Sequence, residues 1–329
     1  MSPHRQWGRA MDPAQARLRA ARRRRGMFLL PSLFTSAGIG LGFYAITQIF
    51  DAVTAGLTPY ADPSVHLDHA AIAICFAIPF DALDGRIARM TNTVSDFGRE
   101  LDSLADSITF GMAPALLAWI WGLHFLDLGA NPNIVPHLLQ IGTFICFLYL
   151  LCGVSRLARF NISHDPEPEN PGRKGAKYFV GMPIPAAAGL VASTVHLFYG
   201  IPNSYWWLAI VWLVLVATLG FLMVSKWRFW SGKEINLGNR QPIQLLAVIA
   251  IVLFLLLWPT VSRATWFLIG LVYMFSGIWA RAAYSWQRRR RHFRRDEEIR
   301  HRELQFEAES AGEPGEPDAG TNQTGNHEL

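Results

Sequence analysis

The chain has 329 residues, of which 51% are hydrophobic and only 17% charged, whereas a soluble domain carries about a quarter charged residues. Its apolar residues form long blocks without repeated period-2 alternation, which argues against both a soluble domain and an outer-membrane barrel. The net charge of +5 comes from basic residues beside apolar blocks, as in "YSWQRRRRHFRR", so we expect contacts with membrane lipids and no nucleic-acid partner.

The hydropathy pattern predicts an all-α fold, a polytopic transmembrane helical bundle of about eight spans. In chain order, the predicted spans lie near 28–50, 67–90, 101–122, 138–160, 180–199, 205–225, 242–259 and 264–284. Residues 1–26 are predicted to form a basic interfacial segment and 27–286 the transmembrane domain. Residues 287–309 are expected to form a charged cytoplasmic helix, and 310–329 a disordered tail.

The connections between these spans alternate in charge. Segments 51–66, 123–137 and 200–204 contain no Lys or Arg, and the turn before the last span holds only Arg263. The alternate connections and both termini are basic. Because basic loops stay in the cytoplasm, this pattern predicts an even number of spans with both termini cytoplasmic.

The stretch "DALDGRIARMTNTVSDFGRELDSLAD" contains four aspartates in a region whose flanking residues are apolar enough to lie in a membrane. Asp81 and Asp84 are three residues apart, and Asp102 and Asp106 are four apart, so each pair shares one face of a predicted helix. Carboxylates that converge at membrane depth repel each other and lose hydration, which divalent cations would offset. Carboxylate oxygens suit Mg²⁺, Mn²⁺ or Ca²⁺, and two ions roughly 3.5–4 Å apart serve displacement at phosphorus elsewhere.

Neighbouring residues fit a phosphate ligand. Gly85 has no side chain to block a bulky group, Ala88 clears the same face one turn later, and Arg89 offers a planar fork of donors. Ser95, in the predicted turn, could donate a hydroxyl. The alternative is that the aspartates cap helices and pair with nearby arginines, which their spacing and the two glycines disfavour.

The pattern D-x2-D-G-x2-A-R-x8-G-x3-D-x3-D is present without departure and resembles the signature of the CDP-alcohol phosphatidyltransferase family. The resemblance implies a catalytic membrane domain that moves a phosphatidyl group from a CDP-lipid to an alcohol and releases CMP. It implies two divalent cations, Mg²⁺ or Mn²⁺, at the four aspartates, with Asp106 also acting as general base. Gly85, Ala88, Arg89 and Gly98 would surround the cytidine diphosphate. A homodimer in the cytoplasmic (inner) membrane, with its active site facing the cytoplasm, is also expected.

Segments outside this motif concern the acceptor alcohol. "LPSLFTSAGIGLGFYAI", "CGVSRLARFN" and "YFVGMPIPAAAG" resemble the membrane-bound phosphatidylserine synthases of bacteria and archaea, which implies CDP-diacylglycerol and L-serine as substrates. Arg156 and Arg159 could then bind the serine carboxylate with help from Asn161, or serve as positive-inside anchors. Glycerol 3-phosphate, inositol phosphate or choline as acceptor stays open. So does a different class, an ion-coupled transporter with an intramembrane carboxylate cluster.

Overall fold

The computed structural model describes residues 13–90, 96–129, 131–162, 178–230, 263–286 and 300. Side-chain positions are described for all of these except 13–32, 84, 87–90, 178 and 230. Residues up to Ala280 form one compact unit, and those from Arg281 onward belong to a second.

The described chain is mostly helical. Helix α1 is Pro13–Gly56 and α2 is Pro63–Met90. A continuous helix, Asp96–His124, then consists of α3 (Asp96–Asp106), a π-helical segment (Ser107–Met112), α4 (Ala113–Trp119) and a second π-helical segment (Ile120–His124). The remaining helices are α5 (Val135–Ile162), α6 (Ile184–Leu197), α7 (Trp206–Val224) and α8 (Arg263–Trp286).

Six helices of the described ranges are long and apolar enough to cross a membrane, and they coincide with the first four, the sixth and the eighth predicted spans. The prediction of a polytopic helical bundle is therefore confirmed in its coarse form, and the chain is an integral membrane protein. The predicted seventh span, 242–259, lies outside the described residues, as do 310–329 and, apart from Arg300, 287–309. The total of eight spans and the side on which the termini lie stay predictions.

The predicted fifth span differs from the structure. Strand β1 (Tyr178–Val180) and a turn precede α6, which has only 14 residues, about 21 Å of helix against a hydrocarbon core of about 30 Å. Gly181 has φ 76°, a left-handed conformation that ends the extended segment, and Pro183 has extended backbone at the N-cap of α6. A helix over 180–183 is therefore ruled out by the backbone of these two residues.

The structure also contains a two-stranded antiparallel ribbon. The all-α prediction missed this ribbon. Strand β1 pairs with β2 (Arg228–Trp230), and Phe179 lies opposite Phe229. The turn at Gly181 fits tightly, because a Cβ there would lie 2.4 Å from the carbonyl oxygen of Met223. The ribbon therefore closes against the end of α7, and only glycine fits at the closure.

Small residues allow the helices to approach closely. Helix α1 packs along α2, α2 along α6, and α5 along α7. The buried alanines of α1, α2 and α6 are Ala45, Ala52, Ala55, Ala70, Ala71, Ala73, Ala77, Ala187, Ala188 and Ala192. Backbones separated by alanine come near enough for extensive van der Waals contact, the main attraction between helices in lipid.

The start of α2 shows a local capping arrangement. The Ser64 backbone N–H donates to Asp62 Oδ1 at 2.9 Å, and Pro63 occupies the first helical position, where no N–H is needed. Hydrogen bonds from the Ser64 side chain and backbone lower the pKa of Asp62. The capping carboxylate is therefore ionised at neutral pH.

A polar cluster joins three helices at the end of the bundle remote from the aspartate motif. Asp68 Oδ1 of α2 lies 2.6 Å from His196 Nδ1 of α6. The Arg263 guanidinium at the start of α8 donates to both Asp68 oxygens at 3.4 Å and to the His196 carbonyl at 2.8 Å. It also lies 3.9 Å from the ring centroid of Tyr199. Because the three side chains are at most 18% exposed, the cluster anchors α8 to α2 and α6.

We predict that Asp68→Asn lowers the free energy of unfolding by about 1–3 kcal/mol, because it leaves the charge of Arg263 incompletely compensated. The measurement is the thermal midpoint of the purified protein in detergent. Asp51→Asn is the matched control, since Asp51 is exposed and accepts a hydrogen bond from Gln48 on its own helix. Equal midpoints for the two variants would contradict the prediction.

A second prediction concerns the contact of α1 with the first π-helical segment. A Cβ on Gly42 would lie 2.5 Å from Thr109 Oγ1 and 2.9 Å from Thr109 Cα, whereas one on Gly40 would meet nothing within 4 Å. Gly42→Ala should therefore cost about 1–3 kcal/mol of stability through overpacking, although alanine favours a helix by about 1 kcal/mol. Gly40→Ala should leave the thermal midpoint unchanged or raised. A midpoint unchanged in Gly42→Ala would show that the two helices separate freely.

Candidate active site

Three aspartates of the motif converge in the structure. Asp102 and Asp106 lie one turn apart on α3, and Asp81 faces them from α2. Each offers a carboxylate oxygen within 4.8 Å of the others, and all three side chains are half-buried. Asp84 lies one turn after Asp81 on α2, and its side chain is outside the described part of the structure.

A small cavity, partly open to solvent, lies beside these carboxylates. It is lined by α1, α2, α3 and the first π-helical segment through Thr35, Gly38, Ala77, Asp81, Asp102, Ala105, Asp106, Thr109 and Phe110. The contribution of α1 was missed by the sequence analysis. The stretch "LPSLFTSAGIG" contains hydroxyl residues and glycines within an apolar block, which is unusual for a span that only faces lipid. Only the packing shows which of its residues face the aspartates.

The π-helical segment Ser107–Met112 begins directly after Asp106. Segments of this kind are rare within α-helices and occur frequently at functional sites. Here the Tyr149 hydroxyl of α5 donates to the Phe110 carbonyl at 3.3 Å, and Thr109 Oγ1 donates to the Gly38 carbonyl of α1 at 3.2 Å. The turn that follows Asp106 is thus held from two sides by neighbouring helices.

The residues expected around a nucleotide lie on the helix ends near this cavity. Gly85 is partly exposed on α2, and Gly98 is exposed in the first turn of α3, which begins slightly before the predicted span. Ala88 and Arg89 lie on the last turn of α2, but their side chains, like the whole of Ser95, are outside the described residues. Their contact with a nucleotide stays a prediction.

Arg156 of α5 is 8% exposed and lies at the level of Asp106, because the α5 contacts on either side of it join Tyr149 to Phe110 and Asn161 to Ser103. The negative charge of Asp106 lies within electrostatic range of the Arg156 guanidinium. Its Nε finds no hydrogen-bond partner among the described residues. A buried guanidinium with an unused donor is costly unless a ligand completes its hydrogen bonds.

Arg159 and Asn161, the other candidates for the acceptor, bind protein groups. Arg159 donates to the carbonyl of Val224 at 3.0 Å and to that of Val180 at 3.4 Å, so it ties α5 to the ribbon. Asn161 Nδ2 donates to Ser103 Oγ at 3.0 Å, which ties α5 to the helix that carries Asp102 and Asp106. Among these three candidates, Arg156 is therefore the buried one whose Nε has no partner among the described residues.

The donor set at the cluster suits a hard divalent cation. Carboxylate oxygens are the ligands preferred by Mg²⁺ and Mn²⁺, and three of them converge within 4.8 Å. Such a cation would compensate a concentration of negative charge that the half-buried position makes costly. Asp81, Asp102 and Asp106 could therefore hold a metal ion.

Comparison with known proteins places this site in a family. Residues 28–211 match the model of the CDP-alcohol phosphatidyltransferase family. A protein of Helicobacter pylori (strain ATCC 700392 / 26695) is 35% identical over 231 residues, which are 69% of this chain and 82% of the relative. It is named CDP-diacylglycerol–serine O-phosphatidyltransferase.

Two further relatives carry the same name. One, from Mycobacterium tuberculosis (strain ATCC 25618 / H37Rv), is 33% identical over 219 residues, 65% of this chain and 70% of the relative. The other, from Methanocaldococcus jannaschii, is 37% identical over 156 residues, 47% of this chain and 61% of the relative. The range matched by the family model contains the four aspartates of the motif, the cavity and Arg156. The chain belongs to the CDP-alcohol phosphatidyltransferase family.

Proposed function

We propose that the protein transfers the phosphatidyl group of CDP-diacylglycerol to the hydroxyl of L-serine, giving phosphatidylserine and CMP. The observation that carries this proposal is the convergence of Asp81, Asp102 and Asp106 beside the buried guanidinium of Arg156. The carboxylates suit the cations that accompany a diphosphate, and the guanidinium suits the carboxylate that distinguishes serine from other alcohols. The names of the relatives support the same acceptor.

Two divalent cations, Mg²⁺ or Mn²⁺, would be held by Asp81, Asp84, Asp102 and Asp106. When bound, they neutralise charge on the diphosphate and on the departing CMP. Gly85, Ala88, Arg89, Ser95 and Gly98 would bind the cytidine diphosphate. The glycines and the alanine leave room at the helix surfaces, and the arginine and serine supply hydrogen-bond donors.

Asp106 would act as the general base. A serine hydroxyl is a weak nucleophile at neutral pH, so a positioned carboxylate must accept its proton as the oxygen attacks. The oxygen forms a bond to the phosphorus that carries diacylglycerol, and the bond from that phosphorus to the CMP oxygen breaks. Two hydrogen bonds fix the π-helical segment that follows the base. Tyr149 donates to the Phe110 carbonyl of the segment, and Thr109 of the segment donates to the Gly38 carbonyl of α1.

Arg156 would bind the serine carboxylate. A guanidinium stays protonated and presents several donors in one plane, which matches a carboxylate. Arg159 and Asn161 would support this site indirectly: the first orders the ribbon, and the second fixes α5 against Ser103 of α3. Of the three candidate residues, only Arg156 would then contact the serine directly.

The loop charges support a site that faces the cytoplasm, where serine and CDP-diacylglycerol are both accessible. Residues 27–286 would form the catalytic domain in the inner membrane. This domain would cross the membrane eight times, with both termini in the cytoplasm. The basic segment 1–26 and the charged helix 287–309 would lie at its surface, followed by a disordered tail, 310–329. A homodimer remains an expectation from the family.

We predict that the purified protein releases CMP from CDP-diacylglycerol only when both L-serine and Mg²⁺ or Mn²⁺ are present. EDTA should abolish the release, and either cation should restore it, because the carboxylates cannot neutralise a diphosphate themselves. The measurement is CMP formation in mixed micelles, with glycerol 3-phosphate, inositol phosphate and choline tested in place of serine. Turnover with one of these instead of serine would overturn the acceptor assignment, and turnover in EDTA would overturn the metal assignment.

The base assignment has its own test. Asp106→Asn should lower kcat by about 10²–10⁴-fold, because asparagine cannot accept the hydroxyl proton. Asp96→Asn on the same helix is the matched control: the Asp96 side chain is 97% exposed and pairs with Arg99 at 3.4 Å. It should retain wild-type turnover. An Asp106→Asn enzyme with wild-type kcat would exclude Asp106 as the base.

A further inference from the structure

Helix α5 contacts the aspartate-bearing helix α3 through a polar pair that lies between Asp102 and Asp106. Asn161 Nδ2 of α5 donates to Ser103 Oγ at 3.0 Å. The Ser103 hydroxyl donates to the Arg99 carbonyl of its own helix at 3.1 Å, which is a closer acceptor than Asn161 Oδ1 at 3.4 Å. The hydroxyl therefore directs its proton along α3 and presents its oxygen to α5.

The same amide also faces a second residue of α3. Asn161 Nδ2 lies 3.5 Å from Glu100 Oε2, and Glu100 lies one turn before Ser103, so the two residues share one face of the helix. Asn161 is partly buried and precedes the last residue of α5, Ile162. An amide that contacts two successive turns of one helix face restrains the rotation of that helix as well as its distance from α5.

The face that α5 contacts adjoins the face that carries the carboxylates. Asp102 and Asp106 line the cavity, and Ser103 follows the first of them in the chain. Successive residues of an α-helix lie about 100° apart around its axis, so a turn of α3 by one residue would move Ser103 into the position of Asp102. Asp81 belongs to another helix, so the carboxylate oxygens converge within 4.8 Å only when α3 has the observed rotation.

The hydrogen bonds beyond Asp106 act on a different part of the helix. Tyr149 and Thr109 hold the π-helical segment, which begins at Ser107. At this point the backbone hydrogen bonds change from the i→i+4 to the i→i+5 pattern, so one regular helix does not set the rotation on both sides of Asp106. The contact of Asn161 restrains the side that precedes Asp106, on which Asp102 also lies.

We propose that Asn161 is a positioning residue for the metal site: through Ser103 it fixes the rotation of α3, so that the two aspartates of this helix face Asp81. The inference rests on the proposed function in one respect, the assignment of divalent cations to these aspartates. When α3 rotates freely, only a fraction of the molecules holds the carboxylates together, and the apparent metal affinity falls by that fraction. An acceptor ligand at the same position would instead change serine binding.

The test is Mn²⁺ binding to purified Asn161→Ala, measured without substrate from the electron paramagnetic resonance signal of free Mn²⁺. The Kd should rise about 3- to 10-fold, as expected for the loss of one hydrogen bond. Ser103→Ala should have the same effect, and the double variant should exceed either single variant by less than about 2-fold, because both changes remove one contact. A wild-type Kd in Asn161→Ala would overturn the inference.

Thr143→Val is the matched control. Thr143 of α5 accepts a hydrogen bond from Trp119 Nε1 at 2.8 Å, so it joins α5 to the same continuous helix beyond the first π-helical segment, away from the aspartates. This variant should lower the thermal midpoint, as Asn161→Ala does, and keep the wild-type Kd for Mn²⁺. An equal rise of Kd in both variants would show that any loosening of α5 weakens the site and would overturn the specific role of Asn161.

Serine kinetics distinguish a positioning residue from an acceptor ligand. At Mn²⁺ concentrations that saturate each protein, the serine KM of Asn161→Ala should stay within about 2-fold of wild type. A larger rise would identify Asn161 as an acceptor ligand and overturn the inference. A wild-type protein that binds no Mn²⁺ would refute the metal assignment of the proposed function and the inference with it, whereas equal binding by wild type and Asn161→Ala would refute the inference alone.

Discussion

Negative charge gathered inside a membrane bundle is the constraint on which the rest of the structure depends. Asp81, Asp102 and Asp106 bring carboxylate oxygens within 4.8 Å of one another, and such a group is unfavourable without positive charge nearby. The buried Arg156 supplies one such charge from α5. Divalent cations are the natural complement, so the helices around the cluster must hold charged side chains at fixed separations through packing.

Close helix approach makes this possible. Gly42 of α1 comes so near to Thr109 that no Cβ fits between them, and Thr109 in turn bonds the Gly38 carbonyl. The contact lies on the π-helical segment that follows Asp106, where Tyr149 holds the Phe110 carbonyl from α5. Small residues and side chain-to-carbonyl hydrogen bonds thus transmit the packing of α1 and α5 to the helix that carries the aspartates.

Helix α8 is attached to the bundle at two levels. At the remote end, Arg263 bonds Asp68 and the carbonyl of His196, so the start of the helix is held by charge. Near the candidate site, Tyr273 packs on Phe229, so the middle of the helix is held by aromatic contact with the ribbon. Helix α8, which lies outside the range matched by the family model, is therefore held to the bundle at both levels.

The sequence by itself determined the helical bundle and the pairing of the aspartates, because hydropathy and helical spacing are local properties. The shared faces follow from i, i+3 spacing of Asp81 and Asp84 and i, i+4 spacing of Asp102 and Asp106, and the six long apolar helices follow from composition. At the fifth span, hydropathy over 180–199 revealed neither strand β1 nor the short length of α6. Tertiary structure alone decided the ribbon, the lining of the cavity by Thr35 and Gly38, the use of Arg159 on the carbonyls of Val180 and Val224, and the packing of Tyr273 on Phe229. Each of these contacts joins segments far apart in the chain, and their packing follows from the shapes of whole helices, which no local pattern encodes.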